Sequence, residues 1–439
     1  MKTLKTNIFL KIGVVILLIL ILLIPTAMVK GLIDEREQTQ INAIEEISAK
    51  WATEQTITGP FISIPYDRYI ETITKKDSIK KYIKMREFIH ILPKNLRIDG
   101  EVIPEKRYRG IYEVVVYEST LSIKGDFSSF DLQSLEIERK DIHLDKAYIS
   151  IGVSDLKGIE NQVALIWNSQ AISFDSGVPN NDIISSGIST QLNLSNDIDN
   201  LNSFSVEINL KGSQQLYFLP VGKTTEVQLK SNWRTPSFNG EYLPDFRNIN
   251  THGFEAKWTI LHPNRNYPQW WTNTQYYIHN SSFGTDLILP VDNYKKSDRV
   301  AKYALLFIGL TFLVFFFVEV LGKVFIHPIQ YLLVGLALVI FYTLLLSFSE
   351  HMIFNLAYML ATFLTLVLVS FYAYAILKSK KLAVLIFGIL LIMYAFIFTI
   401  IQLEDYALLL GSLGVFAILA LVMYYSRAID WYNIKLSDE

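Results

Sequence analysis

The sequence contains no cysteine, which excludes disulfides, zinc sites with cysteine ligands and thiol nucleophiles. It also lacks the HExxH, GxSxG, Walker A and strand-to-helix GxGxxG motifs that carry common catalytic and nucleotide-binding chemistry. The five histidines between residues 30 and 300 have no metal-ligand spacing and are interpreted as structural or surface residues. No cofactor or metal is therefore expected, and binding is favoured over catalysis.

Charged residues are scarce at both ends of the 439-residue chain. Three of the 40 Lys and Arg and none of the 42 Asp and Glu precede residue 30, while seven of each kind follow residue 300. The segment between carries 30 basic and 35 acidic residues, the ordinary charge content of a water-exposed domain. This distribution excludes a wholly soluble protein, and it argues against a nucleic-acid partner, which would require a basic face.

Six apolar runs are long enough to cross about 30 Å of hydrocarbon, which takes roughly 20 helical residues. They lie at residues 8–29, 302–320, 329–348, 352–377, 382–402 and 406–425. The first run is interpreted as an uncleaved anchor because it lacks a convincing small-x-small cleavage site. The lipid bilayer is therefore the first expected partner.

The Lys and Arg content of the short loops predicts the orientation. With the N-terminus inside, the inner segments carry nine such residues, and the loops at 349–351 and 403–405 carry none. The nine are Lys2, Lys5, Lys11, Lys323, Lys378, Lys380, Lys381, Arg427 and Lys435. Both termini should therefore be cytoplasmic, and residues 30–300 should lie outside the cytoplasm.

The middle of the chain changes from a helical period to a period of two. Residues 31–55 are predicted as a helix, whereas segments 111–123, 147–153, 204–210, 226–229 and 254–260 alternate as strands do. Residues 206–232 are predicted as a meander of antiparallel strands, and the polar stretch 180–202 as a loop. The predicted fold is a membrane α-helical bundle of six transmembrane helices plus a β-rich extracytoplasmic domain. Its parts are an anchor (1–29), the β-rich domain (30–300), a five-helix bundle (301–426) and a cytoplasmic tail (427–439).

Three features of the middle domain leave a binding or catalytic interpretation open. Asp141, His143 and Asp145 form a cluster that could serve acid–base chemistry, although a solvated turn is the favoured interpretation. His252 and His262 could approach one another, but their spacing is weak evidence for a metal site. The aromatic residues of 267–277 could fill the core, lie at the bilayer interface or stack on sugars, and the core is favoured.

Polar residues in the bundle are candidates for function because they cost free energy in lipid. Glu319 is expected to reach the surface and pair with Lys323 at i,i+4, with a buried partner or a proton site as the alternative. Glu350 and His351 occupy a short hairpin that needs polar residues, and Asn355 is expected to hydrogen-bond between helices. If such groups converge on a cavity, a transporter or a membrane-embedded enzyme becomes the alternative function.

A set of residue blocks is distributed along the full length of the chain. The blocks are Leu22-Leu23-Ile24-Pro25, Gly59-Pro60 with Ile64-Pro65, Ser231-Asn232-Trp233, Pro236-Ser237-Phe238, Asp298-Arg299 with Ala301-Lys302-Tyr303-Ala304, Glu319, His327-Pro328, Gln330 to Leu336, Ser349-Glu350-His351 and Ile429-Asp430-Trp431-Tyr432. In these blocks the chain resembles the CreD family of inner-membrane proteins. The resemblance implies a protein induced by a two-component sensor system and linked to envelope integrity, β-lactam response and colicin tolerance. Glu319, His327, Glu350 and His351 match the family pattern without an assigned role there, and the tail ending at Glu439 is shorter than in the family.

The expected function is therefore support of the cell envelope under stress by binding or scaffolding. An envelope protein or a cell-wall component is the expected partner.

Overall fold

The computed structural model describes residues 8–73, 80–128, 137–195, 202–289, 293–322, 324–403 and 406–427. The chain divides into two compact units. Met1–Ile41 with Val291–Glu439 form one, the helical unit, and Asn42–Pro290 form the other, the β-rich domain.

Seven α-helices are found in the described residues. They are α1 (Ile8–Trp51), α2 (Asn293–Lys302), α3 (Ala304–Gly322), α4 (Pro328–Ser349), α5 (Phe354–Leu377), α6 (Lys380–Gln402) and α7 (Ala407–Ser426). Six of them, all except α2, are long and apolar enough to cross a membrane. The predicted set of six apolar helices is confirmed, with ends that differ by a few residues.

Helix α1 is longer than a single membrane crossing requires. The apolar run and the predicted helix at 31–55 are one continuous helix, which ends at Trp51. At about 1.5 Å per residue its 44 residues extend ~66 Å. Its apolar half packs closely on α4, because Gly335 has no side chain and a Cβ there would lie 2.1 Å from Cδ1 of Leu22.

Seventeen strands are found in the described residues, all within the β-rich domain. The first nine are β1 (Gln55–Ile73), β2 (Lys80–Ile91), β3 (Asn95–Arg109), β4 (Tyr112–Phe127), β5 (Ala147–Val153), β6 (Ala164–Trp167), β7 (Gln170–Ser173), β8 (Asp175–Ser176) and β9 (Gly187–Leu192). The others are β10 (Asn202–Ser213), β11 (Gln215–Phe218), β12 (Thr224–Ser231), β13 (Pro236–Gly240), β14 (Phe246–Asn250), β15 (Gly253–Leu261), β16 (Trp270–Thr272) and β17 (Phe283–Leu287).

The strands form two sheets. The first has the order β13-β17-β11-β1-β5-β9-β8, with β2 paired to β1 and β16 paired to β2, and the second has the order β14-β15-β12-β3-β4-β10-β6-β7. Pairing is mostly antiparallel, and the parallel pairs are β1 with β11 and β3 with β12. The β-rich domain between the first helix and the later apolar helices is thus confirmed.

The predicted strands are confirmed, but the predicted meander is wrong. Segments 111–123, 147–153, 204–210, 226–229 and 254–260 all fall in strands or overlap them. However, β10 pairs with β4 and β6, β11 with β1 and β17, and β12 with β3 and β15, so these three consecutive strands do not pair with one another. The predicted loop at 180–202 is wrong in part, because it contains β9.

The two sheets share one apolar core, to which their central strands contribute buried side chains. In β10 and β12 buried positions alternate with more exposed ones. Trp258 of the second sheet lies 5.7 Å from Phe283 and 5.6 Å from Phe238, both in the first sheet, measured between ring centroids. Trp271 and Tyr267 are also buried, so the favoured core interpretation of the aromatic stretch is confirmed for these two residues.

Candidate functional site

Glu319 is fully buried within the helical unit and has partners on both carboxylate oxygens. Oε1 accepts a hydrogen bond from the backbone N–H of Ile326 at 2.9 Å, and Oε2 accepts one from the Tyr331 hydroxyl at 2.9 Å. Oε1 also forms an ion pair with Nζ of Lys11, which is itself buried. A buried carboxylate costs several kcal/mol unless it is paired and hydrogen-bonded, and these contacts supply both conditions.

Lys11 is the functional candidate that sequence reasoning did not select. It lies near the start of α1, and its ammonium group is also 4.5 Å from the centroid of the Phe325 ring. The available signal was a lone lysine inside an otherwise apolar run. The burial of Glu319 contradicts the expectation that it reaches the surface and forms a surface-type ion pair. Lys323, its expected partner, lies outside the described residues.

Glu350 and its neighbour Ser349 connect the turn after α4 to two other helices. The carboxylate accepts a hydrogen bond from the Tyr294 hydroxyl of α2 at 3.2 Å and lies 3.7 Å from the Arg36 guanidinium of α1. The Asn293 side chain donates to the Ser349 carbonyl at 2.6 Å. His351, the next residue, is exposed. The polar turn is therefore a junction of three helices.

Helix α1 thus forms ion pairs with the bundle at two well-separated points. Lys11 pairs with Glu319 of α3, and Arg36 pairs with Glu350 at the end of α4. At about 1.5 Å per residue the two positions are ~38 Å apart along α1, compared with about 30 Å of hydrocarbon. The structure therefore does not bring the candidate residues together into one site, and direct proton exchange between the two pairs is excluded.

His327 caps a helix. It precedes Pro328 at the start of α4, and its Nδ1 accepts a hydrogen bond from the backbone N–H of Ile329 at 3.3 Å. The Gln330 side chain accepts the His327 backbone N–H at 2.9 Å, which completes a capping box. His327 is exposed and does not contact Glu319 among the described contacts. Its geometry fits a cap at the start of a helix.

Asn355 makes the expected contact between helices. Its Oδ1 accepts a hydrogen bond from the Gln402 side chain at 2.7 Å, which joins α5 to the end of α6. An open apolar groove lies elsewhere in this unit, between Phe371 of α5 and Ala383 of α6, and none of the four candidate polar residues lines it. Convergence on a cavity, the condition set for a transporter, is thus not met at this groove.

In the structure the cluster around His143 contains Asp67, Lys84 and Arg86 instead of the predicted Asp141 and Asp145. Nε2 of His143 lies 2.7 Å from Oδ2 of Asp67, a nearly buried carboxylate that also pairs with Lys84 at 2.7 Å and Arg86 at 3.0 Å. Burial alone would raise the pKa of Asp67, but hydrogen bonds from Lys84, His143 and Arg86 hold it well below its usual range. Such a carboxylate stays ionised and does not serve as a general acid or base.

His90 of β2 forms a chain of three polar groups with Ser63 of β1 and Asp182. Nδ1 is 3.0 Å from Oγ of Ser63 and Nε2 is 3.1 Å from Oδ2 of Asp182. The three residue types match a hydrolytic triad, but Ser63 and His90 are fully buried, so no substrate reaches the hydroxyl. The contacts fasten the segment around Asp182 to β2. No group of three or more metal-ligating side chains is found in the described residues.

Six apolar helices, with a β-rich domain of two sheets between the first and the others, define an integral membrane protein with several spans. The sequence model of a family described as Inner membrane protein CreD matches residues 7–432. The chain is 34% identical to the Inner membrane protein CreD of Escherichia coli (strain K12) over 438 residues, which cover 99% of this chain and 96% of that protein. The chain therefore belongs to the CreD family of inner membrane proteins.

Proposed function

We propose that the protein supports envelope integrity under stress by binding or scaffolding, with an envelope protein or a cell-wall component as its partner. In this proposal residues 1–29 anchor the chain, residues 30–300 lie outside the cytoplasm, residues 301–426 form the membrane bundle and 427–439 a cytoplasmic tail. Both termini are cytoplasmic, because the Lys and Arg residues of the short loops and termini concentrate on that side.

We favour scaffolding over transport because Glu319 is fully paired inside the helical unit. A group that carries ions or protons must exchange its partner for the transported species. Each oxygen of Glu319 is already held inside the unit, by Lys11, Ile326 and Tyr331. These contacts hold α1 against α3 and α4, as expected of an ion pair with a structural role.

A transporter is the second candidate, and the same cluster is what favours it. Ionisable residues inside a membrane bundle are frequently part of ion or proton paths. The two functions differ in what they require of the charges. A structural pair can be replaced by two uncharged side chains of similar volume, whereas a proton or ion path cannot.

The test is growth under β-lactam stress of cells lacking the protein, complemented with the charge-free pair Lys11→Met with Glu319→Gln. We expect growth equal to that with the wild-type protein at equal membrane abundance. Lys302→Met, which removes an exposed lysine from an i,i+4 pair, is the matched control. An abundant, correctly inserted double variant that fails to restore growth would overturn the scaffold and favour the transporter.

A further inference from the structure

The β-rich domain contains a pocket of about 330 Å³ at one end of its first sheet. Thr58 of β1 and Gly152 of β5 face each other across the pair of strands that forms its floor. The segment before β9 and the segment before β17 contribute its walls, through Ser185 and Ser282. The volume lies at the lower end of the range of small-molecule sites, about 300–1,000 Å³.

The lining of the pocket is dominated by hydroxyl groups. Thr56, Thr58, Ser154, Ser185, Ser186 and Ser282 supply six of them. Within the described part of the chain, only the Ser154 hydroxyl of this set forms side-chain hydrogen bonds, which go to the backbone of Thr56. Thr58 is only 2% exposed, so an unpartnered hydroxyl lies at the buried floor. Each hydroxyl can both donate and accept, as the hydroxyls of a sugar do.

Charge is nearly absent from the lining. His279 is the one titratable side chain among the lining residues, and its Nε2 is 2.9 Å from the Ile183 carbonyl. No Lys, Arg, Asp or Glu lines the pocket. A phosphate or carboxylate ligand would find no Lys or Arg there, and a cationic ligand would find no carboxylate. The lining therefore fits a neutral ligand.

An exposed aromatic ring stands beside the pocket. Tyr277 is 74% exposed, and its ring centroid lies 5.3 Å from that of the lining residue His279. A large exposed ring offers an apolar face together with a hydroxyl, which suits the apolar face of a sugar ring. The neighbouring aromatic residues Trp271 and Tyr267 are buried in the core, so Tyr277 is distinct among them.

The wall formed by residues 184–186 is supported by contacts that the preceding residues make. Asp182, two residues before the wall, contacts His90, which in turn contacts Ser63. The backbone N–H of Asp182 also donates to the Asn180 side chain at 3.1 Å. The pocket is thus preformed by buried contacts rather than assembled by an unsupported loop.

We propose that this pocket binds a neutral saccharide, whose hydroxyls hydrogen-bond to the Thr and Ser side chains and whose ring packs against Tyr277. The ligand class rests on the proposed binding function and refines it. A saccharide partner is consistent with a domain that works outside the cytoplasm.

The experiment uses the full chain in lipid nanodiscs, titrated calorimetrically with N,N′-diacetylchitobiose and with maltose. Glucose 6-phosphate and galacturonate are the charged comparisons. We expect saturable binding of at least one neutral disaccharide and no saturable binding of the charged sugars. Tyr277→Ala and the double variant Thr58→Val with Ser185→Ala should each weaken that binding about tenfold, the loss of one or two hydrogen bonds or of one stacked ring.

Matched controls separate the pocket from the rest of the surface. Tyr82→Ala removes another exposed tyrosine and Ser205→Ala another partly exposed hydroxyl, and neither lines the pocket. Both should leave the affinity unchanged. Each pocket variant should retain the thermal unfolding midpoint of the wild type, because Tyr277 and Ser185 are exposed and the buried Thr58 hydroxyl has no hydrogen bond to lose among the described residues.

Three results would overturn the ligand assignment: no saturable binding of either disaccharide, equal affinity in the folded pocket variants, or stronger binding of a charged sugar. Any of these in a protein that still restores growth under stress would leave the proposed scaffold function intact. Failure of the charge-free Lys11 and Glu319 pair to restore growth would instead overturn that function without changing the binding result.

Discussion

Neutralising one member of the Lys11–Glu319 pair should destabilise the protein much more than neutralising both. Glu319→Gln leaves the Lys11 ammonium group buried without a counter-charge, and Lys11→Met leaves the carboxylate in the same state. Loss of one partner from a buried pair typically costs about 3–5 kcal/mol. Surface-type pairs, the kind expected from the sequence, are worth only about 0–1 kcal/mol.

The double variant separates the cost of charge from the cost of hydrogen bonding. Gln at position 319 keeps one acceptor oxygen for the two donors, Tyr331 and the Ile326 N–H, so a loss of about 1–3 kcal/mol remains. Methionine approximates the volume of the lysine stem and adds no charge. We therefore expect the double variant to lie above both single variants in stability, with a coupling energy of at least ~2 kcal/mol in the cycle.

The assay is the free energy of unfolding of the purified protein in lipid–detergent micelles, measured for the four members of the cycle. Lys302→Met serves as the exposed-pair control and should change this free energy by about 0–1 kcal/mol. Single-variant losses that simply add in the double variant would refute the claim that the two charges are buried against each other.

The remaining predictions concern the β-rich domain. Residues 56–300 produced without α1 should give a circular-dichroism spectrum dominated by β structure, and a mainly helical spectrum would show that the two-sheet architecture is wrong. Asp67→Asn should lower the thermal unfolding midpoint most at pH 7. The folded pKa of Asp67 lies below its unfolded value of about 4, so its contribution is complete above that value and is lost as the pH falls toward the folded pKa. The difference between the variant and the wild type should therefore shrink below about pH 4, and a difference that grows there would contradict the pairing.

The membrane helices and many strands could be predicted because each depends on a local pattern. Runs of about 20 apolar residues specify α3 to α7 without reference to the rest of the chain. In the same way, alternation of buried and more exposed residues marks β10 and β12. Even so, the continuity of α1 was missed, because a change from apolar to polar composition need not interrupt a helix.

The candidate site could not be predicted because it depends on contacts between distant segments. Lys11 and Glu319 belong to helices on either side of the β-rich domain in the sequence, and no local spacing links them. For Glu319 the local rule favoured a partner four residues away. The predicted strand pairing was wrong for the same reason. β10, β11 and β12 are neighbours in sequence, but each pairs with strands from other parts of the chain. Likewise, Thr58 and Ser185 meet in the pocket only because of the fold.

The proposal that the β-rich domain binds its partner outside the cytoplasm depends most directly on the side of the membrane that it occupies. Because the chain has no cysteine, single introduced thiols report on accessibility without background. Tyr82→Cys places an exposed thiol on β2, and Lys380→Cys places one at the exposed start of α6. In intact spheroplasts a membrane-impermeant maleimide should label the thiol at position 82 and should label that at position 380 only after permeabilisation. The opposite pattern, or labelling of both before permeabilisation, would contradict the orientation and with it the proposed function.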